Sequence, residues 1–189
     1  MQRSLNNAPW TVLAAREGKL FGCHFGTVTT PIATPATTAI VARRPQAWLR
    51  IPAATVIIPV SVRIVVEAAG ATTQGEISLV STTNDVGAGT SSAGTSAVIN
   101  KNTDSTNTSA CTPLMLATAD VTLETGLLEH ARFSFAASAV NQTFNWPDPG
   151  SDADLPFLRG DASWLLYIGG NAVNFYAQMS WVEYLETEV

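Results

Sequence analysis

His24 and His130 are the two histidines of this sequence, the residue type whose ordinary titration range suits a general base near neutral pH. Neither stands in an HExxH pattern or in metal-ligand spacing with cysteine, aspartate or glutamate. Cys23 and His24 are adjacent, so on a strand they point to opposite faces, which disfavours their sharing one metal. Cys23 and Cys111 are the only cysteines. They read either as a pair in an oxidising compartment or as two buried thiols acting as small hydrophobes. The densest carboxylates are Asp148, Asp152 and Asp154 in a Pro/Gly-containing turn, with Asp161 nearby. Alternating acids can supply oxygen ligands to calcium. The EF-hand order is not met, because no glycine follows the third acid and no distal glutamate closes the loop. Ordinary turn chemistry of Asp, Pro and Gly competes with that reading. As paired acids for glycoside hydrolysis they are weaker still, since carboxylates close together on one loop seldom straddle a bond. No GxSxG, Walker A or helix-opening GxGxxG pattern occurs, and Gly87-Ala88-Gly89 sits in a Ser/Thr/Gly loop. The expectation is therefore a non-enzymatic protein with no catalytic residue, no cofactor and no metal ligand.

Five tryptophans add a second kind of chemistry, stacking. Trp164 and Trp181 lie on apolar faces and read as core. Trp146 lies in Asn145-Trp146-Pro147-Asp148 and reads either as an exposed sugar platform or as a hydrophobic anchor for its loop. The sequons at Asn107 and Asn141 matter only in a secretory pathway, which nothing in the chain supports.

The elements that must carry these residues are strands. No segment keeps apolar residues at helical spacing over three turns with caps. Alternation is clear from Ser61 to Glu67, where Val62, Ile64 and Val66 face one way and Ser61, Arg63 and Glu67 the other. It recurs between Val173 and Glu183, with Val173, Phe175, Ala177, Met179 and Trp181 on one face. Residues 76–80, 163–168 and the pair Phe133 and Phe135 give further strands. Weaker candidates are 20–29, 38–42, 48–51 and 114–123. Eight to ten short strands with Gly/Pro/Asn turns predict an all-β antiparallel sandwich, and the long connections favour jelly-roll crossings. The expected division is an extended N-terminal arm with first strands over 1–38, then a jelly-roll sandwich over 39–189. Within it, the Ser/Thr/Asn-rich stretch 82–112 reads as a long surface loop, with one short strand near 96–100.

Composition bounds the partners. Of 189 residues, 46% are hydrophobic and only 13% charged, against about a quarter charged in ordinary domains. Ser, Thr, Asn and Gln therefore coat the surface, which suits packing against other protein. The net charge is −5 and lysines are limited to Lys19 and Lys101, so direct nucleic-acid binding is not expected. No apolar run reaches the roughly 18 residues of a membrane helix, and residues 1–10 carry no apolar signal region. Synthesis in the cytoplasm is the expectation.

The run Trp48-Leu49-Arg50-Ile51-Pro52-Ala53 followed by Ile58-Pro59-Val60-Ser61-Val62 resembles small virion proteins of tailed phages. So do Asn84-Asp85-Val86-Gly87, Ser109-Ala110-Cys111-Thr112, and the ending that joins Ser163 to Gly169 and Ser180 to Glu183. The resemblance covers the chain from about residue 45 onward. It implies a capsid-associated jelly roll of the decoration or cement kind, located in the virion and made in the host cytoplasm. Its partners would be copies of itself, a trimer by analogy with other jelly rolls, and the major capsid protein. No catalytic residues come with it. A carbohydrate-binding sandwich, stabilised by calcium at the 148–154 turn, is the competing reading.

Overall fold

The computed structural model describes residues 9–27, 29–34, 39–70, 74–87, 97–117, 119–122, 127–147, 155–170 and 172–189. A short helix, α1 (Trp10–Arg16), precedes twelve strands: β1 (Leu20–Phe25), β2 (Ile32–Ala33), β3 (Ala47–Ile51), β4 (Thr55–Ala68), β5 (Gly75–Thr82), β6 (Val98–Asn100), β7 (Thr112–Met115), β8 (Leu128–Phe135), β9 (Val140–Trp146), β10 (Leu158–Arg159), β11 (Ala162–Gly169) and β12 (Asn174–Leu185). A 3-10 turn, Glu186–Glu188, follows.

Every strand pairing among the described residues is antiparallel, and two sheets result. One runs β6-β1-β12-β4, with β9 and β10 on the far side of β4 and β2 continuing the line of β1 along β12. The other runs β7-β3-β11-β5-β8. Without the short additions the orders are β1-β12-β4-β9 and β3-β11-β5-β8, the strand order of a jelly roll built from two Greek keys. The expected all-β sandwich and its jelly-roll crossings are thus present.

The pleat explains which strands alternate. On β12, Phe175, Ala177, Met179 and Trp181 are buried between the sheets, while Gln178 on the other face is exposed. Ile64 and Val62 of β4 oppose Ala177 and Met179, and Phe21 and Cys23 of β1 oppose Trp181 and Met179. The first sheet therefore has one wet face, and its sequence alternates. By contrast β11 is buried at all eight positions. Trp164 and Leu166 face the inter-sheet core, and Leu165 and Tyr167 join Trp48, Val80, Val86, Leu114, Ala117 and Val121 in a second core on the outer face. That double coverage is why Trp164-Leu165-Leu166-Tyr167-Ile168 reads as an unbroken apolar run.

The second core forms because the long connection after β5 folds back. Arg50 grips Asp85 with both carboxylate oxygens, the Nε contact being 2.8 Å. The Gly87 amide donates to Asp85 at 2.9 Å, and Trp48 Nε1 donates to the Gly87 carbonyl at 3.3 Å. Further on, the connection adds β6 to the edge of β1 and β7 to the edge of β3. The stretch expected to be a surface loop is therefore partly sheet, and the short strand expected near 96–100 is β6; residues 88–96 lie outside the described ones.

The N-terminal region departs from a simple arm. β1 lies inside the first sheet, between β12 and β6, so a boundary at 38/39 cuts the sandwich. Residues 1–8 and 35–38 lie outside the described ones. The weak strand candidate at 38–42 is not a strand where it is described; Ile40 packs on the second core instead.

Candidate functional site

The residues singled out for chemistry are dispersed. His130 is the extra residue of a bulge in β8, since Leu79 pairs Ala131 while Val80 pairs Glu129. The bulge turns its ring inward, where it packs on Trp146 with ring centroids 5.8 Å apart. His130 Nε2 and Ser81 Oγ are 2.8 Å apart, a nucleophile–base spacing. Ser81 is buried, however, and the neighbouring acid Glu129 bonds Ser78 and Arg132 instead. No described acid orients the imidazole, so the pair is a buried polar contact without the third member of a triad. Burial holds the His130 pKa below its ordinary value.

Cys23 and Cys111 are both free and buried. Burial pushes the Cys23 thiol up to about 12. Cys111 is also raised, by burial first and then by the Glu183 carboxylate against it. That carboxylate accepts from Ser109 Oγ at 2.5 Å, from the Ala110 amide at 2.7 Å and from Trp181 Nε1 at 3.1 Å. It is the polar anchor that fastens the returning connection to β12.

Trp146 is buried, with its ring edge against Trp164 at 5.8 Å, so it anchors the end of β9 rather than presenting a platform. Asp148, Asp152 and Asp154 lie outside the described residues. Asp161 is exposed and sits electrostatically near Arg50. Among the described residues no three His, Cys, Asp or Glu side chains cluster as metal ligands. The Asn107 sequon amide donates to the Glu17 and Gly18 carbonyls at 3.2 and 3.4 Å.

Two surfaces stand out in their place. The first is α1. Its carbonyl end is held by the 100–107 turn: Asn102 Nδ2 donates to Arg16 O at 3.2 Å, and Asn100 Nδ2 to Gly18 O at 2.9 Å. These asparagines satisfy carbonyls that a helix end leaves unpaired. Gly18 closes the helix at φ 68°, and a β-carbon there would fall 2.0 Å from Ser105 Oγ. The helix is thus fixed by its polar end, and Ala14 is its only buried residue. Trp10, Val12 and Leu13 remain 42, 46 and 38% exposed.

The second surface is the wet face of the β1-β12-β4-β9 sheet. The register sets His24 opposite Gln178, Gln178 opposite Arg63, and Arg63 opposite Asn145. The four side chains form one row across four strands, about 14 Å long at the usual strand spacing. In the adjoining row Tyr176 lies opposite Val65 and Val65 opposite Thr143. Between His24, Arg63 and Tyr176 runs a groove of about 330 Å³. Sequence reading named Arg63 only as a solvent-facing residue and passed over the row, because the row's members are distant in the chain and only pairing aligns them.

No family model matches this chain, and no curated protein or solved structure matches it.

Proposed function

We propose that this chain is a non-enzymatic structural subunit of a virus particle: a jelly-roll decoration or cement component of a tailed-phage head that associates with copies of itself and with the capsid lattice. The observation that carries the reading is α1. A helix clamped by asparagines while Trp10 and Leu13, one turn apart on the same face, stay partly exposed presents apolar side chains to another surface. Aromatic anchors of this kind concentrate binding energy at interfaces. The neutral polar coat implied by 13% charged residues supports the same reading, because little desolvation of charge opposes packing. So does the open side of the sandwich. There β8 and β9 are both sheet edges, and Leu128 and Val140 are 60 and 64% exposed.

The test is light scattering behind size exclusion, then co-sedimentation with phage heads lacking this subunit. The intact chain is expected to form a closed oligomer and to bind heads. Trp10→Ala together with Leu13→Ser is expected to weaken both, while the circular dichroism stays unchanged because these side chains are exposed. A monomeric intact chain that binds no heads, or a double variant that behaves as the parent, rejects the proposal.

A further inference from the structure

We propose that the wet face of the β1-β12-β4-β9 sheet is a binding site for acidic saccharides, in which Arg63 takes the sugar carboxylate and Tyr176 the apolar face of the ring. This goes beyond an assembly role and uses a surface formed by strands rather than by α1.

The side-chain types are those that a charged sugar asks for. Arg63 is exposed, and no hydrogen bond or ion pair is formed by its guanidinium with any described residue. Its planar fork matches a carboxylate in two parallel hydrogen bonds. Gln178 and Asn145 flank it on the two neighbouring strands, and their amides likewise have no side-chain hydrogen-bond partner among the described residues. An amide both donates and accepts, as sugar hydroxyls do. His24 closes the row.

Beside the row stands an aromatic ring. Tyr176 is half-buried, and its ring lies over the backbone of Gly26, whose β-carbon, if present, would come within 2.9 Å of Cδ1. Glycine at this position, φ 89°, lets the ring settle next to the groove. A ring laid beside amides and a guanidinium suits a ligand with an apolar face and a polar rim. The groove, about 330 Å³, lies at the lower end of the range for small-ligand sites.

Charge selects the class. Neither row contains an acid; Glu67, two residues beyond Val65 on β4, lies close enough to act electrostatically on Tyr176. A site for neutral sugars would gain from a carboxylate acceptor in the row, and none is there. A polyphosphate chain would need several cations, whereas Arg63 is the only fixed cation of the two rows. One carboxylate on a compact ring answers both facts.

The experiment uses the intact chain labelled for amide NMR. The probes are a galacturonate tetrasaccharide, its fully methyl-esterified form and a neutral galactose tetrasaccharide. Expected are shifts confined to residues around 24, 63–65 and 176–178 with the acid form, and at least tenfold weaker binding of the two uncharged probes. Arg63→Gln should weaken binding about tenfold to a hundredfold, as loss of hydrogen bonds to a charged group predicts, and Arg63→Lys by an intermediate factor. Tyr176→Ala should also weaken it, with acid and ester affected alike. Absence of shifts at millimolar probe, shifts on another face, equal binding of acid and ester, or an unaffected Arg63→Gln each overturns the proposal. A change in oligomeric state on Arg63→Gln without any sugar response does so too, marking the face as a contact between copies. None of these readouts depends on head binding through α1, so the two proposals fail separately.

Discussion

Replacing Glu183 by alanine should loosen the long connection from the sandwich while leaving both sheets paired. The carboxylate accepts three hydrogen bonds, from Ser109 Oγ, the Ala110 amide and Trp181 Nε1. The first two donors sit near solvent and can turn to water. The indole cannot, because Trp181 is 0% exposed in the core between the sheets. Leaving a buried donor unsatisfied costs about 1–3 kcal/mol, and each lost hydrogen bond to a charged group up to a similar amount before water replaces it. A total near 3 kcal/mol follows, with the larger share on the indole. At about 2–4 °C per kcal/mol for a domain of this size, Tm should fall by about 6–12 °C. Glu183→Gln keeps an acceptor oxygen for the indole and should cost about 1 kcal/mol. The assay is denaturant unfolding combined with hydrogen exchange. Protection should fall at residues 109–115 and stay unchanged at β4 and β11. A loss below 0.5 kcal/mol in the alanine variant, or equal losses for alanine and glutamine, would refute the assignment of Glu183 as the anchor.

Three further outcomes are expected. Trp181→Phe should destabilise more than Trp164→Phe by about 1–2 kcal/mol, because Trp164 Nε1 has no partner to lose among the described residues while Trp181 Nε1 does; paired unfolding curves check this. His130 has a folded pKa below its ordinary value of about 6.5, so the unfolded chain binds the extra proton first. Stability should hold above that pH and fall as pH drops below it, and His130→Gln should remove the slope. Asp85, lowered by the Arg50 hydrogen bonds, should add a separate loss only below the ordinary aspartate range. Cys23 and Cys111 should stay unreactive toward a thiol reagent in the folded chain near pH 8 and react at the unfolding rate. Because both pKa values are raised, their contribution to stability is present below the ordinary thiol range and is lost as pH rises above it. Prompt labelling of both thiols would contradict their burial.

Much of the sandwich was legible in the chain. Strands with one wet face carry alternation, so β4, β8 and β12 and the inward set from Val173 to Trp181 could be read directly. The unbroken run of β11 announced a strand, although only the folded-back connection explains why both of its faces are dry. β9 escaped notice because Val-Asn-Gln-Thr-Phe-Asn-Trp is an edge strand, mostly exposed and polar, without an apolar period. α1 escaped because its stability comes from distant asparagines rather than from a buried stripe. Trp146 looked like a loop residue next to proline; β4 recruits its strand and draws the ring inward.

The same division holds for the surfaces. Composition alone determined a low-charge, neutral coat, and the residue types alone argued against a metal or nucleophile motif. Only tertiary structure decided that His24, Gln178, Arg63 and Asn145 share one row and that Glu183 meets Ser109. The reason is physical. A strand's period is written locally by which side chains must leave water, but register is settled by pairing between segments far apart in the chain, and that is where side chains become a site.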